Sequence, residues 1–170
     1  SLWYSTNIEK KAYVLEEIRK LKNFEKYVRA STPEVFGSNF KKVDVNQFFN
    51  PSTPYAVSRA ACDLHLMSFF KAYNFPVVFT RAANVYGPGQ QLYRIIPRAF
   101  LSAITGEKMN LHGGGTSIRS FIHIDDVANA TLKLALNAES GTSWHLSTTK
   151  SISIKDLVKK IFTIVGSDFN

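Results

Sequence analysis

An α/β fold with parallel strands is the architecture this sequence predicts, and three observations carry it. Helical and extended patterns alternate along the first half of the chain, in the order helix, strand, helix, strand. The second extended run, "FPVVFTRAANVYGPG", begins at Pro76 and reads as a buried strand leading into a Gly/Pro loop. Both extended runs end in small polar residues, Ser31-Thr32 and Ala83-Asn84, at the carboxyl ends of strands where open sheets of this kind hold ligands.

The elements follow in order. From Asn7 to Leu21, apolar Ile8, Ala12, Leu15, Ile18 and Leu21 recur at three- and four-residue steps, the signature of an amphipathic helix. "FEKYVRAST" is a short strand, followed by a loop rich in Asn, Phe and Lys that runs to about Asn50. Pro54 then introduces a helix over 55 to 73, because its fixed φ and missing N–H suit the first helical turn. Beyond Pro88, "RIIPRAFLSAIT" is helical and "KMNLHGGG" is a strand running into glycines. "RSFIHIDDVANATLKLALN" is a strand followed by a helix with Asp125 or Asp126 as its cap, and "SWHLST" is a short strand. "SIKDLVKKIFTIV" is a last helix that Ser153 and Asp156 open in a capping-box arrangement. The loop at 87 to 89 is the best internal boundary, and there is no repeat.

The 170 residues are 45% apolar with thirteen Phe, enough for a sizeable core and for one domain or slightly more. No uninterrupted apolar run reaches the ~18 residues that a membrane span needs. The stretch "SLWYSTNIEKK" lacks a basic segment followed by an apolar one, so no signal peptide is expected there. The lone Cys62 has no partner for an internal disulfide, which fits a reducing compartment, and its expected role is a packed thiol. The net charge of +8 is spread over helix faces, with only pairs such as Lys41-Lys42, so it reads as solvated surface rather than a nucleic-acid footprint. His65, His123 and His145 show no metal-like spacing with one another or with Cys62.

Four blocks carry the chemistry: "ASTPEVFGS", "PYAVSRAACD", "TRAANVYGPGQ" and "RSFIHIDDVANA". Tyr55 and Arg59, four apart on a helix, share one face, so a phenol there has a fixed cation beside it. In this order and at these intervals the blocks resemble the extended short-chain dehydrogenase/reductase superfamily. Within it they are most similar to the nucleotide-sugar epimerases and dehydratases, above all the 4,6-dehydratases. The resemblance implies the second part of a Rossmann-type doubly wound parallel sheet, with a small C-terminal substrate lobe, a bound NAD and a nucleotide-diphosphate sugar lying between the two. It places residues 1–88 in the latter part of the nucleotide domain and 89–170 mainly in the substrate lobe, with about 119–149 returning to the Rossmann layer. It also implies a homodimer through helices 7–21 and 55–73, and a cytoplasmic enzyme with no membrane or nucleic-acid partner.

The resemblance also implies roles. Tyr55 is the base at the sugar's carbon-4 hydroxyl, and because an unperturbed phenol has a pKa of ~10, a nearby cation must favour its ionised form. Family members carry a lysine for this and for the nicotinamide ribose; here the position is Arg59, which keeps the charge but aims a larger, planar set of donors. Thr32 bonds the reacting oxygen, and Glu34 removes the proton at carbon 5 once carbon 4 is a ketone. Pro33 stands where close dehydratases have an acid, so Glu34 itself or a water must protonate the departing carbon-6 hydroxyl. Asn84 and Arg119 bind the substrate diphosphate, and His112 lies against the nucleotide base.

The glycine-rich dinucleotide turn is not in the sequence, since neither "GPGQQL" nor "GGGTSI" has its spacing or follows a first strand. The expectation is that the chain begins about halfway through the nucleotide domain, without its first βαβ unit, and stops before the last helices. Three readings stay open: a 4,6-dehydratase; a 4-epimerase or glucuronate-type decarboxylase of the same superfamily; and a non-catalytic binding module.

Overall fold

The computed structural model describes residues 2–37 and 43–169; the Lys41-Lys42 pair lies outside the described residues. Two compact units emerge, residues 1–82 with 127–146 and residues 83–126 with 147–170.

The first unit is built on a parallel sheet of order β1-β2-β6, from Tyr27–Ala30 (β1), Val77–Ala82 (β2) and Ser143–Leu146 (β6). The register pairs Val28 with Val78 and Thr80 with Trp144. The helical layer against it comprises Leu2–Tyr4 (α1), a π-helical turn over Ser5–Glu9, Lys10–Arg19 (α2) and the long Pro54–Tyr73 (α3). The first helix therefore starts earlier than its apolar spacing indicates and ends at Arg19 rather than Leu21. Its π-helical turn shifts the face that a uniform 3.6-residue period would present.

α3 is delimited by local chemistry. Thr53 accepts the Ala56 N–H at 3.1 Å, Pro54 occupies the first turn, and Asn74 ends the helix in the left-handed region at φ 53°. Leu15, Cys62, Leu66, Phe69, Phe75, Val77 and Phe79 form the core where α2 and α3 meet β2. A smaller cluster of Val35, Phe36 and Ala60, with Val43 and Phe49 against it, anchors the loop after β1.

In the second unit, Asn84–Tyr86 (β3) pairs in parallel with Phe121–His123 (β5), and Ile118–Arg119 (β4) pairs antiparallel with Ile152–Ser153 (β7). The extended run after Pro76 is thus two strands in different sheets, interrupted at Ala83, a few residues before the Gly/Pro loop. Ile95–Thr105 (α4) and Ile154–Val165 (α6) bury Ala99, Val158 and Ile161 against one another. Ser153 caps α6 as its sequence indicates, accepting the Asp156 N–H at 3.0 Å.

Two expectations are corrected. "KMNLHGGG" is not a strand: His112–Gly115 is a 3-10 turn, and Gly113, Gly114 and Gly115 have φ of 57°, 64° and 70°, a left-handed course that a pleated strand excludes. Asp125 and Asp126 do not cap the helix Ile124–Asn137 (α5) but lie in its first turn, while the His123 Nδ1 accepts the Asp125 N–H at 3.3 Å.

Candidate functional site

In the first unit the candidate groups sit on two neighbouring elements. β1 ends at Ala30, and the chain leaves it through Ser31 and Thr32 into a 3-10 turn, Pro33–Phe36. Thr32 Oγ1 accepts the Glu34 N–H at 3.3 Å, so this hydroxyl caps the turn and keeps its own hydrogen for donation. Glu34 is exposed on the turn, beside Pro33, which has no proton to give. Gly37 closes the turn at φ 73°, with the Asn50 carbonyl oxygen 2.3 Å from where a Cβ would stand. Only glycine fits there.

Tyr55 lies in the first turn of α3, half-buried, with Trp3 packed edge-on at 5.1 Å between ring centroids. The Arg59 guanidinium carbon is 5.9 Å from the Tyr55 ring centroid, as the four-residue spacing indicates. Arg59 has a second attachment that the sequence does not show, since its Nη2 donates to the carbonyl of Ala30 at the end of β1. Burial and the neighbouring Arg29 guanidinium pull the Arg59 pKa below its ordinary value, while Tyr55 and Asp63 act in the opposite direction. The cation is therefore tethered between helix and strand rather than free to swing.

Behind this pair lies a buried charge cluster. Asp63, one turn beyond Arg59, is 1% exposed and bonds Arg29 Nε at 3.0 Å, Arg81 Nη2 at 3.1 Å and Ser31 Oγ at 2.5 Å. Arg81 Nε and Nη1 have no hydrogen-bond partner among the described residues, but the guanidinium carbon lies 5.2, 5.5 and 5.7 Å from the rings of Phe36, Phe49 and Phe79. Aromatic faces thus take the place of acceptors. Burial lowers the Arg81 pKa, and Asp63 offsets part of that. Burial likewise raises the pKa of Cys62, next to Asp63, which keeps it a protonated packed thiol.

In the second unit, Asn84 Nδ2 and its backbone N–H both donate to the Ser120 carbonyl at 3.1 Å, so Asn84 and Arg119 are brought to one end of the β3/β5 pair. Arg119 is exposed and makes no ion pair among the described residues; its Nη1 reaches only the carbonyl of Ile118. His112 is exposed at the start of the triple-glycine turn, and no hydrogen bond joins it to Asn84 or Arg119 among the described residues.

Sequence reasoning passed over Arg29, Asp63 and Arg81, and marked Ser31 only as part of a strand end. A signal was available: two arginines interrupt otherwise apolar strands, and Arg59 and Asp63 stand four apart on α3.

A parallel Rossmann-like layer with a tyrosine and a cation one turn apart at the start of its longest helix is the layout of a short-chain dehydrogenase/reductase. The chain belongs to the NAD dependent epimerase/dehydratase family, whose profile matches residues 1–146. It is 34% identical over 143 residues to the dTDP-D-glucose 4,6-dehydratase of Homo sapiens, covering 83% of this chain and 41% of that protein. With the protein of the same name from Dictyostelium discoideum it shares 32% over 164 residues, 89% of this chain and 38% of the other.

Among solved structures, dTDP-glucose 4,6-dehydratase from Bacillus anthracis in complex with NAD superposes with a TM-score of 0.91 at 29% identity, covering 97% of this chain and 53% of that one. UDP-N-acetylglucosamine 4-epimerase from Methanobrevibacter ruminantium gives 0.89 at 27%, covering 96% and 54%. The chain thus spans about two fifths of the curated relatives and about half of the solved chains it matches.

The family is one of NAD-dependent enzymes of nucleotide sugars. The residues present fit one end of that cofactor. Tyr55 is half-buried beside Arg59, whose buried Nε has no hydrogen-bond partner among the described residues, a donor set suited to the nicotinamide ribose. No helix among the described residues is long and apolar enough to cross a membrane.

Proposed function

We propose that this chain carries the catalytic portion of a nucleotide-sugar 4,6-dehydratase-type lyase. The observation that carries the reading is the turn after β1, where a carboxylate, Glu34, stands two residues from a buried threonine that caps the turn. An epimerase needs no base at carbon 5, whereas a dehydratase does. The substrate is a nucleotide-diphosphate sugar.

Tyr55, with the Arg59 guanidinium beside it, serves as the base that takes the proton of the carbon-4 hydroxyl. Thr32 donates its hydroxyl hydrogen to the same oxygen and holds it in place. NAD, when bound, supplies the two-electron acceptor and donor that the reaction needs, with Tyr55 and Arg59 holding the nicotinamide ribose. With carbon 4 a ketone, the proton at carbon 5 is acidic and Glu34 removes it. Because Pro33 has no proton to give, Glu34 returns the one it has taken to the hydroxyl leaving carbon 6, so one carboxyl serves as base and then acid. Asn84 and Arg119 hold the diphosphate, a task suited to the bidentate donors of an arginine that makes no ion pair among the described residues. His112 is assigned to the nucleotide base.

A 4-epimerase is the second reading, favoured by the fold's likeness to UDP-N-acetylglucosamine 4-epimerase. Incubating the protein with NAD and a panel of nucleotide sugars separates the readings. A 4-keto-6-deoxy sugar supports the dehydratase, an inverted sugar the epimerase and a pentose a decarboxylase, while no product means a binding module.

The outer faces of α2 and α3 expose Tyr13, Val14, Val57 and Leu64, apolar side chains that a four-helix contact between two subunits would cover. A homodimer through these helices follows, and light scattering at micromolar concentration that returns a monomer mass refutes it. The buried free Cys62 suits a reducing, cytoplasmic setting.

A further inference from the structure

We propose that Asp63 is a positioning residue for the reaction: its carboxylate ties the strand end that leads into Thr32 to the helix that carries Tyr55 and Arg59. The inference rests on the reading of Thr32 and Tyr55 as reacting groups. Asp63 is the meeting point of three elements, with Oδ1 accepting from Arg29 of β1 and Oδ2 accepting from Arg81 of β2 and from Ser31. Ser31 immediately precedes Thr32, and its own N–H donates to the Thr80 carbonyl at 2.8 Å. Ser31 is therefore fixed twice, to the sheet by its amide and to α3 by its hydroxyl. Thr32 then begins its turn from a residue with no freedom to drift relative to Tyr55. The Arg59 bond to the Ala30 carbonyl is a second tie between the same two elements, one residue before Ser31.

The carboxylate's reach matters as much as its charge. Three arginines surround this one anion, Arg29 and Arg81 as direct partners and Arg59 through space, so its charge offsets part of the cost of burying them. The short aspartate stem, by contrast, sets how closely α3 approaches the end of β1. A glutamate keeps the charge and lengthens the reach by one methylene. Misplacement of a reacting group by about 1 Å costs up to about a hundredfold in rate.

The test uses Ser31→Ala, which removes one bond without changing charge, Ser31→Thr, which keeps a hydroxyl, and Asp63→Glu. Turnover of a nucleotide sugar by the NAD-supplied protein is expected to fall about tenfold in Ser31→Ala and up to about a hundredfold in Asp63→Glu, with KM within about twofold of the parent and Ser31→Thr recovering most of the loss. In a Thr32→Val background the further loss from Ser31→Ala is expected to shrink below about twofold, because the group it positions is gone. Amide hydrogen exchange at Ser31, measured on the protein without substrate, is expected to speed up at least about tenfold in Ser31→Ala and Asp63→Glu while Leu66 in the core keeps its protection. Additive losses in the Thr32 cycle, or unchanged exchange at Ser31, overturn the proposal. If the parent makes no keto-deoxy sugar, the dehydratase reading fails, and the exchange measurement still decides whether Asp63 fixes the strand end.

Discussion

Replacing Arg59 by methionine removes the cation beside Tyr55 while keeping a long side chain on the helix. The guanidinium carbon is 5.9 Å from the phenol ring centroid, and opposite unit charges at about that separation attract by about 2.8 kcal/mol at an effective dielectric near 20 and about 0.7 kcal/mol in a water-like medium. Arg59 is half-buried, so the true figure lies between these limits. At about 1.4 kcal/mol per tenfold in rate, losing an attraction of this size lowers turnover by roughly three- to a hundredfold. Arg59→Lys keeps a charge and loses the planar fork, so its turnover should stay near that of the parent. The assay is turnover from pH 6 to 10 for the parent and both variants. Coincident profiles for parent and Arg59→Met would mean that the cation is not coupled to the base, and Tyr55 would then be a scaffold residue.

Glu34→Gln should leave oxidation at carbon 4 possible and stop loss of water, seen as transient NADH absorbance without keto-deoxy product; parental product yield from the variant removes Glu34 from the mechanism. Gly37→Ala places a Cβ 2.3 Å from the Asn50 carbonyl oxygen at φ 73°, so thermal unfolding should show a loss of about 1–3 kcal/mol, and an unchanged melting curve would show that the turn readjusts freely. Burial first, and then the Arg81 cation, hold the His145 pKa below its ordinary value of 6.5, with Asp44 and the Val43 carbonyl opposing. The unfolded chain therefore takes up this proton before the folded one does. Stability present above the ordinary value is lost as pH falls through it, with a slope of at most about 1.4 kcal/mol per pH unit. Urea unfolding between pH 7 and 5.5 should show that slope in the parent and a flatter one in His145→Gln, and equal slopes would contradict it.

The sequence by itself determined what depends on near neighbours along the chain. The start of α3 follows from Thr53 and Pro54, the start of α6 from Ser153 and Asp156, and the Tyr55–Arg59 juxtaposition from helical geometry alone. The order of the four motif blocks likewise carries the resemblance to the family whose profile matches residues 1–146. Two local misreadings had local causes: glycine carries no signal for the sign of φ, so "HGGG" passed for the end of a strand, and an imidazole took the capping place assigned to an aspartate.

Only the tertiary structure decided where Arg59 points and what holds the end of β1. Asp63 meets Arg29 and Ser31 across more than thirty positions of sequence, and Arg81 across eighteen. Such bonds leave no periodicity to read. Their strength is the attraction of opposite charges in a low-dielectric interior set against the cost of desolvating them, and that balance depends on which strands the sheet sets side by side.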